Sequence, residues 1–159
     1  MSKKTKTETT KSDREIVITR VLNAPRELVF QTWTDPKHIA EWWGPKGFTN
    51  TIYEMDVRPG GTWRFMMHSP DGVDYPNKIV YTEIVPPERI AYLHGSDQED
   101  DHGAFHASVT FVAQGNKTQL TLRIIFDSKE ERDKKVAAGA IEGGNSTLDR
   151  LEAFLSKDQ

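Results

Sequence analysis

Cysteine is absent from this 159-residue chain. Disulfides, iron–sulfur clusters, cysteine-ligated zinc and thiol catalysis are therefore excluded. No apolar run approaches the ~20 residues that a membrane span needs, and the N-terminal residues lack the apolar stretch of a signal peptide. We expect a protein of the cytoplasm with no membrane partner.

An excess of basic residues is also missing. The chain has 21 Lys and Arg against 24 Asp and Glu, a formal net charge of -3. Nucleic-acid modules have a basic surface, so no nucleic-acid partner is expected. The length suits one domain, which we place at residues 14–157. Residues 1–13 hold too few apolar side chains to fold and are predicted to form a disordered tail.

Patterns typical of metal sites and catalysis are missing as well. The histidines do not converge in the predicted elements, and the acidic run 97–103 lacks the glycine and final glutamate of a calcium loop. No G-x-S-x-G motif or phosphate-binding loop occurs. We predict no metal, no cofactor and no catalytic residue. Among the histidines, only His94 occupies a strand position that is predicted to face the inside of the sheet. Its simplest interpretation is a hydrogen-bonded core histidine.

Alternating apolar residues predict strands, and helix signals interrupt them once. A strand over 15–23 precedes two short helices, the second starting at Asp35-Pro36 and ending at Gly44-Pro45. Six strands with regular turns follow within residues 49–127. Such a meander predicts one antiparallel sheet with a single apolar face.

The last segment, Ser128 to about Lys157, is predicted as one long helix. Ser128 and Glu131 form a capping box. Three glycines interrupt the helix, at positions 139, 143 and 144, and each costs roughly 1 kcal/mol against alanine. Either the helix crosses the sheet closely at this point, or the glycines leave room for a ligand.

These elements predict an α+β fold. A curved antiparallel sheet of about seven strands wraps around the long C-terminal helix, and the two short helices after strand 1 close one end. A sheet cannot always close onto a helix along its full length, so a cavity between them is expected.

Five short motifs agree with this order of elements: Arg20-Val-Leu-Asn-Ala-Pro25, Trp33-Thr-Asp-Pro36, Trp42-Trp43-Gly44-Pro45, Asp56-Val-Arg-Pro-Gly-Gly61 and Leu148-Asp-Arg-Leu151. Over residues 14–156 the chain resembles the bacterial AHSA1 family, a branch of the START-like (SRPBCC, Bet v 1-like) superfamily. The resemblance implies the helix-grip fold. Relatives in the superfamily bind lipids, hormones or polyketides under the long helix, and a few are cyclases or aromatases.

One position departs from the family. Many members carry a tryptophan near Gly144-Asn145, where this chain has none. The wall of the expected cavity is therefore smaller and more polar here.

Inward-facing strand residues and the small-residue part of the helix together form the predicted ligand-binding set, since small-molecule pockets have mostly apolar walls and a few polar groups. The set is Trp63, Phe65, Met67, Tyr81, Tyr92, His94, Phe105, Ala107, Val109, Ile141, Asn145 and Leu148. Trp33, Trp42 and Trp43 are expected in the core, or as a lid over the cavity mouth. A fully packed core remains the alternative to a cavity.

Three functions remain open, and we rank them by what each requires. Non-enzymatic binding of a small hydrophobic or aromatic molecule needs only the cavity and comes first. An interaction module for an Hsp90-type chaperone ATPase comes second, because the eukaryotic activator uses a further N-terminal domain and only a short tail precedes Glu15. A cyclase- or aromatase-like enzyme using His94 or a tyrosine comes third. The oligomeric state cannot be read from the sequence.

Overall fold

The computed structural model describes residues 13–95 and 104–157. In chain order the elements are β1 (Glu15–Leu22), α1 (Arg26–Thr34), α2 (Pro36–Trp42), β2 (Thr49–Met55), β3 (Thr62–His68), β4 (Asp74–Val85), β5 (Arg89–Gly95), β6 (Phe105–Gln114), β7 (Lys117–Ile125), α3 (Lys129–Ala137) and α4 (Ala140–Lys157). The predicted tail, apart from Asp13, and the whole acidic run 97–103 lie outside the described residues.

The seven strands form one sheet in the order β1-β7-β6-β5-β4-β3-β2. Every neighbouring pair is antiparallel. With α4 against the inner face, this architecture confirms the predicted α+β helix-grip fold. None of the described helices is long and apolar enough to cross a membrane.

The predicted helix starts are confirmed by their caps. The Asp35 carboxylate accepts a hydrogen bond from the backbone N–H of Lys37 at 2.9 Å, and Pro36 occupies the first helical position of α2. The Ser128 hydroxyl accepts from the N–H of Glu131 at 3.1 Å. These local bonds satisfy backbone donors that a helix start otherwise leaves unpaired.

The prediction of one unbroken C-terminal helix was wrong. Helix α3 ends at Ala137, and α4 begins at Ala140. Between them Gly139 has φ of +95°, a left-handed conformation that closes the end of a helix and disfavours residues with a Cβ. The first of the three glycines therefore has a backbone role.

Alternate residues of the strands fill the core on the inner face of the sheet. Leu148, Leu151 and Leu155 of α4 pack there at 2% exposure or less. Trp33, Trp42 and Trp43 are buried as well, with Trp33 and Trp42 edge to face at 4.9 Å between ring centroids. The three tryptophans belong to the core, as expected.

Candidate functional site

A partly open cavity of about 220 Å³ lies between α4 and the inner face of the sheet. The loop after α2 closes one side of it. The lining residues are Trp33, Trp43, Gly44, Pro45, Met67, Tyr92, His94, Phe105, Leu122, Ile124, Ala140, Gly143, Gly144, Thr147 and Leu148. None of these described residues is Asp, Glu, Lys or Arg, so the walls are mostly apolar and lack formal charge other than any carried by His94.

Aromatic rings form the sheet side of the cavity. The imidazole of His94 lies 5.0 Å from the ring of Phe105 and 6.2 Å from the ring of Tyr92, measured between centroids. Trp43 approaches the same imidazole from the α2 side at 6.4 Å. Flat rings on several sides make a slot suited to another flat ring, because aromatic pairs favour offset-stacked and edge-to-face contacts.

The imidazole of His94 is held by a neighbouring strand. Its Nε2 lies 2.9 Å from Oδ1 of Asn77, while the Asn77 amide nitrogen donates to the carbonyl of Tyr75 at 2.9 Å. This second bond leaves Oδ1 of Asn77 as the acceptor, so Nε2 of His94 has the proton. His94 is therefore a hydrogen-bonded residue of the cavity wall.

The tyrosine of the wall is a neutral phenol. Tyr92 is 5% exposed, and burial raises the pKa of its hydroxyl above the ordinary value. None of the hydrogen bonds among the described residues uses this hydroxyl. Tyr92 can therefore donate a hydrogen bond into the cavity but is a poor base, and no carboxylate among the described lining residues completes an acid–base pair.

The helix side of the cavity owes its shape to Gly143 and Gly144. A Cβ on Gly143 would stand 3.7 Å from Cγ of Pro45, which is ordinary contact, whereas a Cβ on Gly144 would stand 2.8 Å from Cδ1 of Ile18. Gly143 therefore leaves space between the helix and the α2–β2 loop. Gly144 permits a close crossing of α4 over β1. The close-crossing explanation is confirmed at Gly144, and Gly143 borders the cavity.

The predicted ligand-binding residues fall into three groups. Met67, Tyr92, His94, Phe105 and Leu148 line the cavity. Trp63, Phe65, Tyr81, Ala107 and Val109 lie in the buried core, at 5% exposure or less. Ile141 and Asn145 are half-buried on α4 and are not among the cavity's lining residues.

The side chain of Asn145 is turned toward β1. Its Oδ1 accepts from Nη2 of Arg20 at 3.0 Å, and its Nδ2 donates to the carbonyl of Ile141 at 3.1 Å. Arg20 also pairs with Asp149 at 2.6 Å. Asn145 thus joins the helix to the sheet edge in this arrangement, rather than facing the cavity.

Several lining residues were absent from the predicted set. Leu122 and Ile124 belong to the inward alternation of β7, and Thr147 lies one helical turn after Gly143. Strand parity and the i, i+4 spacing would have included all three. Pro45 had no such signal, because it lies in a loop.

The remaining histidines do not assemble a metal centre among the described residues, where no group of three or more metal-ligating side chains occurs. His68 does bridge two strands on the outer face. Its Nδ1 lies 2.8 Å from the Asp74 carboxylate, and its Nε2 lies 2.8 Å from the Thr51 hydroxyl. All three side chains are substantially exposed, so solvent competes for these bonds, which link β2, β3 and β4.

The fold has well-matched counterparts among solved structures. Protein Ms6760 from Mycobacterium smegmatis is 26% identical, with a TM-score of 0.84 over 94% of this chain and 95% of that one. A protein from Arthrobacter aurescens is also 26% identical, with a TM-score of 0.85 over 92% and 88% of the two chains. A putative uncharacterized protein from Rhizobium leguminosarum is 30% identical, with a TM-score of 0.64 over 90% and 94%.

A comparison with curated proteins gives no match. The family model described as "Activator of Hsp90 ATPase homolog 1-like protein" matches residues 23–156, which include α1, α2, β2 to β7, α3 and nearly all of α4. This match agrees with the resemblance found in the sequence motifs. The chain belongs to the AHSA1 family.

Proposed function

We propose that this chain is a cytoplasmic, non-catalytic binding protein for a small, neutral aromatic or hydrophobic molecule. The observation that carries the proposal is the aromatic-walled cavity of about 220 Å³ under α4. An apolar cavity of about 150 Å³ admits benzene. The space under α4 therefore suits a compact molecule of about one or two rings.

The chemistry of the wall supports a neutral ligand. The described lining residues include no Asp, Glu, Lys or Arg, and an ion buried without a partner loses its hydration without compensation. The Tyr92 hydroxyl remains protonated because burial raises its pKa, so it offers one hydrogen bond to an oxygen or nitrogen of the ligand. A ring with a single polar tip matches these walls.

The energetics of an empty cavity support occupancy. Residual cavity volume costs about 24 cal/mol per Å³, so an enclosed void of this size would cost up to about 5 kcal/mol. Partial opening to solvent lowers this figure. A bound apolar molecule recovers the dispersion contacts that the wall residues lack when the cavity is empty.

Two probes with the same ring system test the proposal. Wild-type protein is titrated with 2-naphthol and with 2-naphthalenesulfonate, and quenching of tryptophan fluorescence is followed, because Trp33 and Trp43 line the cavity. We expect 2-naphthol to bind with a Kd on the order of 10 to 100 µM and the sulfonate at least about tenfold more weakly. Equal affinity for both, or no saturable quenching by 2-naphthol, would contradict the proposal.

Stimulation of an Hsp90-type ATPase, suggested by the family's description, would act through an outer surface. A cavity-filling variant distinguishes the two functions. Gly143→Leu should abolish probe binding while leaving any ATPase stimulation unchanged. Loss of stimulation together with probe binding would tie the two activities to one site.

A further inference from the structure

The segment Trp43-Gly44-Pro45-Lys46, here called the 43–46 loop, forms one wall of the cavity. Its first three residues line the space. Trp43 is fixed in the aromatic cluster, with its ring 5.0 Å from that of Trp63. Burial then decreases along the loop: Gly44 is buried, Pro45 is half-buried and Lys46 is exposed. The loop is thus anchored at its start and meets solvent at its end.

Hydrogen bonds attach this loop to α4. Nη1 of Arg150 donates to the carbonyls of Trp43, Gly44 and Pro45 at 3.1, 3.0 and 3.1 Å. Nη2 of the same guanidinium donates to the carbonyl of Glu41 at 2.9 Å. One turn earlier on α4, the Ser146 hydroxyl accepts from the backbone N–H of Lys46 at 2.8 Å.

The hydrogen bonds between the 43–46 loop and α4 can be exchanged for hydrogen bonds to water. Nη1 carries two hydrogens, so at least two of the three carbonyls share one of them. The carbonyl of Trp43 also accepts from Nδ2 of Asn50 at 2.9 Å, and that of Pro45 accepts from the N–H of Phe48 at 3.1 Å. Bonds from the charged guanidinium are stronger than bonds between neutral groups, so the loop opens only when water replaces them. Apolar contact between loop and helix is small at this point, because Gly143 presents no side chain to Pro45. Polar bonds, rather than packing, hold the outer part of the loop against α4.

We infer that the 43–46 loop is the entrance to the cavity and that Arg150 is the positioning residue that keeps it closed. The inference rests on the proposed function, since it concerns the route of the same neutral ligand. Opening would swing Gly44, Pro45 and Lys46 away from α4 while Trp43 stays in the core. Gly44, with φ of +96°, lies directly after the anchored tryptophan, where the chain must turn.

A reversible covalent clamp provides the main test. The chain has no cysteine, so the double variant Lys46→Cys/Ser146→Cys contains a single thiol pair, placed where the loop now bonds to the helix. Stopped-flow quenching with 2-naphthol measures the association rate. Oxidation should slow association at least about tenfold, and dithiothreitol should restore it, as expected for a gated site.

Removal of the Arg150 hydrogen bonds should have the opposite kinetic effect. Arg150→Met keeps the aliphatic stem but loses every donor, and we expect both association and dissociation rates to rise about tenfold while Kd changes less than about threefold. Asp149→Asn is the matched control, because Asp149 binds Arg20 on the β1 side. Its rates should equal those of the wild type. If Arg150→Met does not fold, Ser146→Ala should show a smaller change in the same direction.

The outcomes separate this inference from the proposed function. Equal association rates for the oxidised and reduced clamp would show that ligand enters elsewhere and would overturn the inference, while leaving the binding function intact. An effect of Arg150→Met on dissociation alone would also overturn it, since that result indicates an ordinary wall residue. Failure of the reduced clamp and the wild type to bind 2-naphthol would refute the binding function itself, and the inference with it.

Discussion

Gly144 of α4 lies so close to Ile18 of β1 that a Cβ on the glycine would stand 2.8 Å from the isoleucine Cδ1. One position earlier, a Cβ on Gly143 would meet only Cγ of Pro45, at 3.7 Å. Neighbouring glycines in one helix therefore serve different purposes. The first leaves space beside the α2–β2 loop, and the second lets the helix approach the sheet.

Alanine substitutions at positions 139 and 143 should change stability in opposite directions. Gly143→Ala fits without a clash and replaces glycine in a helix interior, so the free energy of unfolding should rise by about 0.5–1 kcal/mol. Gly139→Ala must adopt a φ of +95°, and stability should fall by about 1–2 kcal/mol. Urea unfolding of both variants measures the difference. Equal shifts would contradict the assignment of separate roles.

The close crossing at Gly144 predicts coupling to Ile18. Gly144→Ala alone gains helix propensity but forces the Ile18 Cδ1 atom to move, so we expect little or no net stabilisation. Ile18→Val removes that atom and costs about 0.5–1.5 kcal/mol on its own. In a double-mutant cycle measured by urea unfolding, the double variant should be more stable than the single effects predict, by about 0.5–1 kcal/mol. Simple additivity would indicate that the two residues do not constrain each other.

Two polar side chains near the cavity should differ in their effect on ligand affinity. Tyr92→Phe removes a hydroxyl donor of the wall, so binding of 2-naphthol should weaken by about 0.5–1.5 kcal/mol, with little change for naphthalene. Asn145→Ala should leave both affinities unchanged, because the Asn145 amide bonds to Arg20 and Ile141. Calorimetric titration with both ligands provides the measurement. A selective loss for 2-naphthol in Asn145→Ala would show that this amide reaches the ligand after all.

Buried phenols predict a loss of stability in alkali. Burial raises the pKa of Tyr81 and of Tyr92 above the ordinary value of 10.0. Above that pH the unfolded chain releases these protons while the folded chain keeps them, so the free energy of unfolding falls as pH rises. The slope should approach about 1.4 kcal/mol per pH unit for each tyrosine.

Urea unfolding between about pH 9 and pH 11 measures this dependence. Tyr92→Phe should remove the contribution of one tyrosine from the slope of unfolding free energy against pH. Tyr53→Phe is the control, because Tyr53 is 59% exposed. Stability that does not change over this range would contradict the burial of the phenols.

Much of the fold was predictable because local chemistry agreed with the final structure. Alternation defined the strands, and Asp35-Pro36 and Ser128 marked helix starts that the caps confirm. The break at Gly139 could not be predicted, since an apolar stripe continues across it and a glycine's φ is not written in the sequence.

The cavity was less predictable than the fold. Strand parity separated inner from outer residues, but it could not tell wall residues such as Tyr92 from core residues such as Phe65. Leu148 points toward the sheet. Asn145, three residues earlier, and Gly144, four residues earlier, lie on either side of it on the helix surface. Only the tertiary structure shows which of these two sides faces the cavity. Pro45 lines the cavity only because of the path of its loop, which the sequence does not reveal.

The most direct test of the binding function is the affinity of 2-naphthol for wild-type protein, for Gly143→Leu and for Ser156→Leu. The first substitution fills the cavity from the helix side, whereas the second adds the same side chain at an exposed position of α4. With circular dichroism showing all three proteins folded, we predict that only Gly143→Leu loses affinity, by at least about tenfold. Wild-type affinity in folded Gly143→Leu would contradict the assignment of the cavity under α4 as the binding site.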